Sequence, residues 1–202
     1  MLENIMGKLD CLLIGGGMAA TFLKAKSYEV GLSLIETGRL DTATGLMKKA
    51  IRNGVCLLLP VDVVVTDEIS DEAKGKVVSI ESISSRQKIV DIGPRTIKKF
   101  SEELQKCKAV FWNGPMGIYE MPQFAEGTRA MAKVLSVLEA TTIIGGGSTA
   151  DIVIEMELDD KMSFVSTGGG ASLEFLGGQK LPGVEALLDK DSSSVTKLKP
   201  TP

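Results

Sequence analysis

Cys11-Leu-Leu-Ile-Gly-Gly-Gly-Met-Ala-Ala-Thr-Phe-Leu-Lys24 decides how this chain is read. The apolar run Cys11-Leu-Leu-Ile14 has strand composition and ends at three glycines. The segment from Met18 to Lys24 has helix composition. Strand, glycine turn, helix is the opening of an α/β unit. Two further triplets, Gly145-Gly146-Gly147 and Gly168-Gly169-Gly170, follow strand-like runs in the same way. A loop without Cβ atoms meets a ligand backbone first, and phosphate is the ligand that rewards this most.

Outward from that stretch the alternation continues. A helix is expected from about Asp41 to Arg52, stopped by Asn53-Gly54. Val55-Cys-Leu-Leu-Leu59 and Val61-Asp-Val-Val-Val65 read as strands whose continuous apolar character suits a parallel sheet covered on both faces. Residues 66–92 are less periodic and hold one short strand, Lys76-Val-Val78. Helices over about Thr96–Lys106 and Phe124–Leu138, a strand at Ala109–Trp112 and another at Thr141–Ile144 come next. A helix opens at Thr149, a last strand spans Met162–Val165, and a short helix runs from Leu173 to about Leu176. Leu12, Ile14, Val64, Val110, Ile143 and Val165 are read as core. The pattern predicts an α/β, Rossmann-like fold: a doubly wound, mostly parallel sheet with helices on both faces. Residues 1–188 form one domain and 189–202 a polar tail outside the core. In such sheets the ligand crevice lies beyond the carboxyl ends of the strands, which is where all three triplets fall.

Composition narrows the chemistry. The chain has 202 residues, 44% of them hydrophobic, and a net charge of -3. Scattered basic residues and 4% aromatics give neither a footprint for a nucleic-acid backbone nor a base-stacking platform. No run approaches the roughly 20 apolar residues of a membrane span, so a soluble protein is expected. Cys11, Cys56 and Cys107 have no Cys-x-x-Cys spacing and read as buried thiols of a reducing compartment, cytoplasm or plastid stroma, and not as a zinc site. With no histidine, imidazole bases and His-ligated metals are excluded, which leaves backbone amides, carboxylates, lysines and hydroxyls.

Gly15, Gly16 and Gly17 serve either ligand approach or close strand-to-helix packing. They match neither the full G-x-G-x-x-G fingerprint, because Ala20 stands at the last glycine, nor the lysine-containing phosphate loop. Although Glu36 lies near the distance expected of a ribose-binding acid, a dinucleotide oxidoreductase therefore reads poorly. At the second triplet, Ser148 is expected to cap the helix beginning at Thr149, with Asp151 as reciprocal cap, leaving the amides at Gly146 and Gly147 facing the crevice. Gly168, Gly169 and Gly170, flanked by Ser166, Thr167 and Ser172, form either a nest for a mobile phosphoryl group or a turn capped by Ser172. Asn113 offers an amide for a phosphate oxygen, Pro115 an apolar ring for a base, and Glu120 either a clamp for two ribose hydroxyls or a solvated surface acid. Asp62, after Pro60, is a turn residue or a functional one, and Trp112 is read as core.

Taken together, these segments resemble the carboxy-terminal, nucleotide-binding domain of phosphoglycerate kinase. The likeness runs from about residue 2 to 188, through Leu13-Ile-Gly-Gly-Gly-Met-Ala19, Leu59-Pro-Val-Asp62, Asp91-Ile-Gly-Pro94, Trp112-Asn-Gly-Pro-Met-Gly117, Thr141-Thr-Ile-Ile-Gly-Gly-Gly147, Ser166-Thr-Gly-Gly-Gly-Ala-Ser-Leu-Glu174 and Leu181-Pro-Gly183. The resemblance implies phosphoryl transfer between 1,3-bisphosphoglycerate and ADP, giving 3-phosphoglycerate and ATP, in glycolysis or reversed in carbon fixation. It implies that Gly15 to Gly17 line an adenine slot with Pro115 opposite and Leu34 nearby. Glu120 then holds the ribose, while Asn113, Gly146, Gly147, Ser148 and Thr149 lie at the phosphates. The amides of Gly168 to Gly170 stabilise the group in flight by positioning and electrostatics.

The chain also departs from the pattern. The family's amino-terminal domain and the lysine-bearing opening of its nucleotide domain are not in this sequence, so an uncovered sheet edge is expected to need a partner or another segment. Ser148 replaces an aspartate that holds magnesium, which is expected to weaken metal-assisted binding by roughly 1–3 kcal/mol. Arg86-Gln-Lys88 and Phe164 also replace family residues. Two readings follow: the nucleotide-binding half of a phosphoglycerate kinase, inactive as an isolated chain, or a catalytically silent, kinase-derived interaction module.

Overall fold

In the computed structural model, which describes residues 2–187, helices and strands alternate along most of the chain. The strands are β1 (Cys11–Leu13), β2 (Cys56–Leu58), β3 (Asp62–Thr66), β4 (Lys76–Ser79), β5 (Lys88–Ile92), β6 (Ala109–Asn113), β7 (Thr141–Gly145) and β8 (Phe164–Ser166). The α-helices are α1 (Leu2–Ile5), α2 (Gly16–Ala25), α3 (Leu40–Asn53), α4 (Pro94–Leu104), α5 (Glu126–Ser136), α6 (Gly147–Glu155), α7 (Gly169–Leu176) and α8 (Pro182–Glu185). The polar tail assigned to 189–202 lies outside the described residues.

β1 pairs with β2, and β6, β7 and β8 form a three-stranded sheet in that order, every pairing parallel. Parallel neighbours need long crossovers. Here α2 and α3 lie between β1 and β2, α5 between β6 and β7, and α6 between β7 and β8.

The third sheet departs from the expectation. β3, read as a strand of a parallel sheet, pairs antiparallel with both β4 and β5. Its continuous valines reported burial correctly on the face of Val63 and Val65, which are fully covered, whereas Val64 on the other face is half-buried. Burial does not specify strand direction, however. β5 went unseen because Asp91 interrupts its apolar run.

The parity of the core also differs from the reading. Of the six residues named as core, Ile14 is buried, whereas Leu12, Val64, Val110, Ile143 and Val165 are half-buried. The faces packed most tightly carry Val63, Val65, Trp112 and Ile144 instead. Phe100 and Leu104 of α4, Met131 and Leu135 of α5, and Val153 of α6 enclose Trp112 and Ile144 in the largest core cluster. A second cluster joins Met6, Ile14, Phe22 and Leu46 between β1 and the helices α2 and α3. Gly54 ends α3 in the left-handed conformation, φ 70°, as Asn53-Gly54 suggested.

α4 starts without a local side-chain cap. Pro94 removes one orphan donor at its first position. Asp62, buried at the start of β3, supplies the remainder from a distance: its carboxylate accepts from Arg95 N at 3.0 Å, Thr96 N at 2.7 Å and Thr96 Oγ1 at 2.7 Å. Thr96 Oγ1 in turn accepts from Val61 N and Asp62 N at 3.0 and 3.1 Å. Asp62 is therefore a structural clasp between β3 and α4.

Candidate functional site

β1, β6, β7 and β8 all run into glycine-rich loops at their carboxyl ends, and the parallel register brings the last three together. Asn113 lies opposite Gly145, which lies opposite Ser166. A Cβ on Gly146 would stand 2.8 Å from Asn113 Oδ1, and one on Gly169 would stand 2.6 Å from the same oxygen and 2.8 Å from Gly146 Cα. Asn113 thus projects between the starts of α6 and α7. The two helices begin almost in contact, so their positive dipole ends share one small region.

The caps differ from the reading. Gly146, at φ 95°, takes the capping position of α6, and no side chain hydrogen-bonds there. The helix consequently begins at Gly147, two residues earlier than expected. Ser148 falls in its first turn with an exposed side chain, and Asp151 is exposed one turn further on. Thr149 is fully buried, and its Oγ1 accepts from Gly114 N at 2.8 Å. Its hydroxyl is committed to the neighbouring loop, and at 0% exposure its backbone amide is covered as well, so Thr149 positions the loop and does not face a ligand in this conformation. The amides of Gly147, Ser148 and Thr149 are first-turn donors without intrahelical acceptors.

α7 likewise begins earlier, at Gly169, with Gly168 as its capping residue. Ser172 does not cap it; its Oγ donates back to the Gly168 carbonyl at 2.7 Å. Gly168 N donates to Ser166 Oγ at 3.2 Å, while Gly170 has open space where a Cβ would project.

The loop Gly114–Gly117 is held from three sides. Besides the bond from Gly114 to Thr149, Met116 N and Gly117 N donate to the buried Thr128 Oγ1 at 3.0 and 3.3 Å. Ile118 N donates to Val90 O at 2.9 Å. Underneath, Asp91 accepts from Gly127 N at 2.7 Å and Ile92 N at 2.8 Å. Its carboxylate so crowds Gly117 and Gly127 that a Cβ on either would come within 2.4 Å of it. Sequence reading assigned no role to Thr128 or Asp91. Its available clue was a carboxylate inside an apolar run, which must find donors if buried.

Burial raises the Asp91 carboxyl from its ordinary 3.8 to about 6, against the lowering effect of the Gly127 and Ile92 amides. Because the folded chain holds this proton more tightly than the unfolded one, Asp91 contributes stability below pH 3.8 that is lost as pH rises through about 6. The full excursion is about 3 kcal/mol. Asp91→Asn is expected to remove it. Denaturant melts of both proteins from pH 4 to 7.5 should show their stability difference changing by that order, and parallel curves would sink the assignment.

Gly15–Gly17 and Pro115 do meet, in direct backbone contact. Gly16 N donates to Met116 O at 3.2 Å, and Gly16 adopts φ +57° with its missing Cβ 2.3 Å from Pro115 O. Close packing is thus one role of this triplet, with the two loops touching at Gly16, while Gly17 is exposed with nothing within 4 Å of where a Cβ would project. Two recesses that the structure does carry lie elsewhere, one beside Tyr119, Thr128 and Glu155 and one beside Asn4, Leu173 and Gln179. Leu34 is 89% exposed on the loop after α2, and Glu120 is exposed beyond the Gly114–Gly117 loop.

Comparison with known proteins bears on what this arrangement belongs to. The family model for phosphoglycerate kinase matches residues 1–179. The chain belongs to the phosphoglycerate kinase family. It is 50% identical over 194 residues to the phosphoglycerate kinase of Chloroflexus aurantiacus, covering 95% of this chain and 48% of that protein. A 50% match to the enzyme of Thermosynechococcus vestitus covers 94% and 48%. The structure of phosphoglycerate kinase from Coxiella burnetii superposes with a TM-score of 0.87 at 44% identity, over 91% of this chain and 48% of that one. The chain therefore spans about half the length of the relatives it matches. Its α/β fold is that of these kinases. Among the described residues, no helix is long and apolar enough to cross a membrane.

Proposed function

We propose that this chain is the nucleotide-binding half of a phosphoglycerate kinase, taking ADP or ATP at the carboxyl edge of β6, β7 and β8. The observation that carries this reading is the meeting of the α6 and α7 amino termini at Asn113. Amides of Gly147 and Ser148 suit the nucleotide phosphates, and that of Gly170, joined by those of Gly168 and Gly169 once they leave Ser166 Oγ and Thr167 O, suits the phosphoryl group moving between 1,3-bisphosphoglycerate and ADP. Pro115 and the Gly15–Gly17 turn bracket the adenine, with Leu34 and Glu120 reaching it from exposed loops. A bound nucleotide supplies the phosphoryl group itself; this chain's part is to orient it and hold its charge. Turnover needs a second domain for the three-carbon substrate, so the isolated chain is inactive. Its three free thiols support a reducing compartment such as the cytoplasm or plastid stroma.

A silent, interaction-only role is the second reading, favoured by the Gly16-to-Met116 contact across the adenine slot. In the first reading this contact opens when adenine enters; in the second it stays shut.

Calorimetric titration with ADP, with and without magnesium, separates them. Ser148→Asp places a carboxylate on the exposed first turn of α6, where magnesium accompanies the phosphates. Magnesium is expected to strengthen ADP binding by roughly tenfold or more in Ser148→Asp, and less in the parent chain, on the scale of one charge-assisted contact. No heat of binding in either protein would overturn the nucleotide reading in favour of the silent module.

A further inference from the structure

Two of the three cysteines, read from the absence of Cys-x-x-Cys spacing as buried thiols and not as a zinc site, are brought together by the fold. Cys11 and Cys56 open β1 and β2 and are register partners across that parallel pair. Glu103, in the last turn of α4, joins them. One ligand atom from each of the three lies within 4.8 Å of the other two, and all three residues are half-buried. The cluster lies at the amino-terminal ends of the strands, the opposite edge from the glycine loops, so the nucleotide reading does not absorb it.

We propose that Cys11, Cys56 and Glu103 bind a thiophilic divalent cation, zinc being the ion whose ligands and geometry they match. In a tetrahedral zinc site, Zn–S bonds of about 2.3 Å place two sulfurs about 3.8 Å apart. With every ligand atom within 4.8 Å of the others, the sulfurs need to close by at most about 1 Å to reach that spacing. Three protein ligands leave a fourth position for water.

The local charges set the cost that a bound cation has to offset. A carboxylate beside two thiols disfavours thiolate formation, and Cys11 is accordingly pushed up to about 12, first by burial, then by the Cys56 thiol, with Glu103 adding to it. Burial and Glu103 also raise Cys107, which follows in the turn after α4. Lys106 answers only one face of Glu103, binding Oε2 at 2.7 Å. A divalent ion reverses this balance: each thiol gives up its proton, two sulfur–metal bonds form, and two protons enter solution per ion bound.

Cobalt(II) titration of the full chain, free of added thiols, tests the site. One equivalent is expected to give an intense sulfur-to-cobalt charge-transfer band in the near ultraviolet and strong visible bands of a tetrahedral ion. About two protons should be released, and one equivalent of zinc should bleach the spectrum. Cys56→Ser should abolish most of the charge-transfer intensity. Glu103→Gln should retain it while weakening binding at least tenfold. Should Cys56→Ser fail to fold, zinc should still slow alkylation of Cys11 and Cys56 in the parent chain more than tenfold, read by mass spectrometry. A weak six-coordinate spectrum identical in parent and variants, a Cys11–Cys56 disulfide formed in place of metal uptake, or alkylation unaffected by zinc would each overturn the proposal.

Discussion

Replacing Asp62 by alanine is expected to destabilise the fold by about 3 kcal/mol, although the residue touches no proposed ligand. Loss of a helix cap costs about 1 kcal/mol. Leaving buried donors without acceptors costs a further 1–3 kcal/mol. Both penalties apply here, because the carboxylate satisfies two backbone amides and one hydroxyl at the start of α4, and Asp62 and Thr96 are 2% and 0% exposed. Thr96→Val removes the other half of the clasp and orphans the amides of Val61 and Asp62, so about 2 kcal/mol is expected. The two changes share partners and must not add; the double variant should fall short of the sum by about 1 kcal/mol or more. Urea denaturation of the four proteins tests this. A single loss below 1 kcal/mol for Asp62→Ala, or strict additivity, would show that the clasp does not hold α4 to β3.

Much of the architecture was legible because the parallel strands carry one signal repeatedly. Apolar runs ending at Gly15, Asn113, Gly145 and Ser166 gave both the strands and the edge at which their loops gather. Direction was not legible for β3. Its valines report burial, complete on the face of Val63 and Val65, whereas the antiparallel pairing depends on how residues 66–92 return alongside it, a tertiary choice with no local code. Helix starts were misplaced for a specific reason. A glycine at φ 95°, as at Gly146, can occupy a capping position without any side chain, and serine's preference for caps pointed two residues too far along. The same limit applies to the site. Gly146, Gly147 and Gly168 to Gly170 announce themselves by lacking side chains, but the residues that fix their loops, Asp91, Thr128 and the hydroxyl of Thr149, act through contacts between elements distant in sequence. The three cysteines show this limit most plainly, since nothing in their spacing indicates that two of them share a register pair.

These positioning contacts decide how the candidate site would hold charge. Backbone donors bind an anion well only if they point at it before it arrives, since reorienting them costs part of what they give. The first turn of α6 meets this condition: the amides of Gly147 and Ser148 have no acceptor within the helix, and the Gly114–Gly117 loop beside them is held by Thr149, Thr128 and Val90. The Gly15–Gly17 turn does not, because its Gly16 amide is already donated to Met116. The phosphate end is thus preorganised and the adenine end is not. Phosphate contacts should therefore dominate ADP affinity in this chain.

Gly169→Ala follows from that asymmetry and is expected to weaken ADP binding by roughly 10- to 100-fold, the loss of one or two charge-assisted hydrogen bonds. The added Cβ would fall 2.8 Å from Gly146 Cα, 3.0 Å from Gly146 N and 2.6 Å from Asn113 Oδ1. Asn113 can rotate its amide away. Gly146 cannot retreat, because its amide is donated to Ser166 O and its carbonyl accepts from Ala150 N, at 3.0 and 2.9 Å. The start of α7 must therefore move, carrying the amides of Gly168 to Gly170 away from the α6 terminus. Stability should change little. No residue of α7 is buried, and alanine's helix preference over glycine, about 1 kcal/mol, offsets part of the local strain. Gly170→Ala separates displacement from collision: nothing lies within 4 Å of its new Cβ, so the loops stay in place and any loss there reports direct contact with the bound phosphates. Calorimetry with ADP on both variants, alongside thermal melts, reads the outcome. Undiminished affinity in Gly169→Ala would mean that the meeting of α6 and α7 is a packing arrangement and that the nucleotide phosphates lie elsewhere.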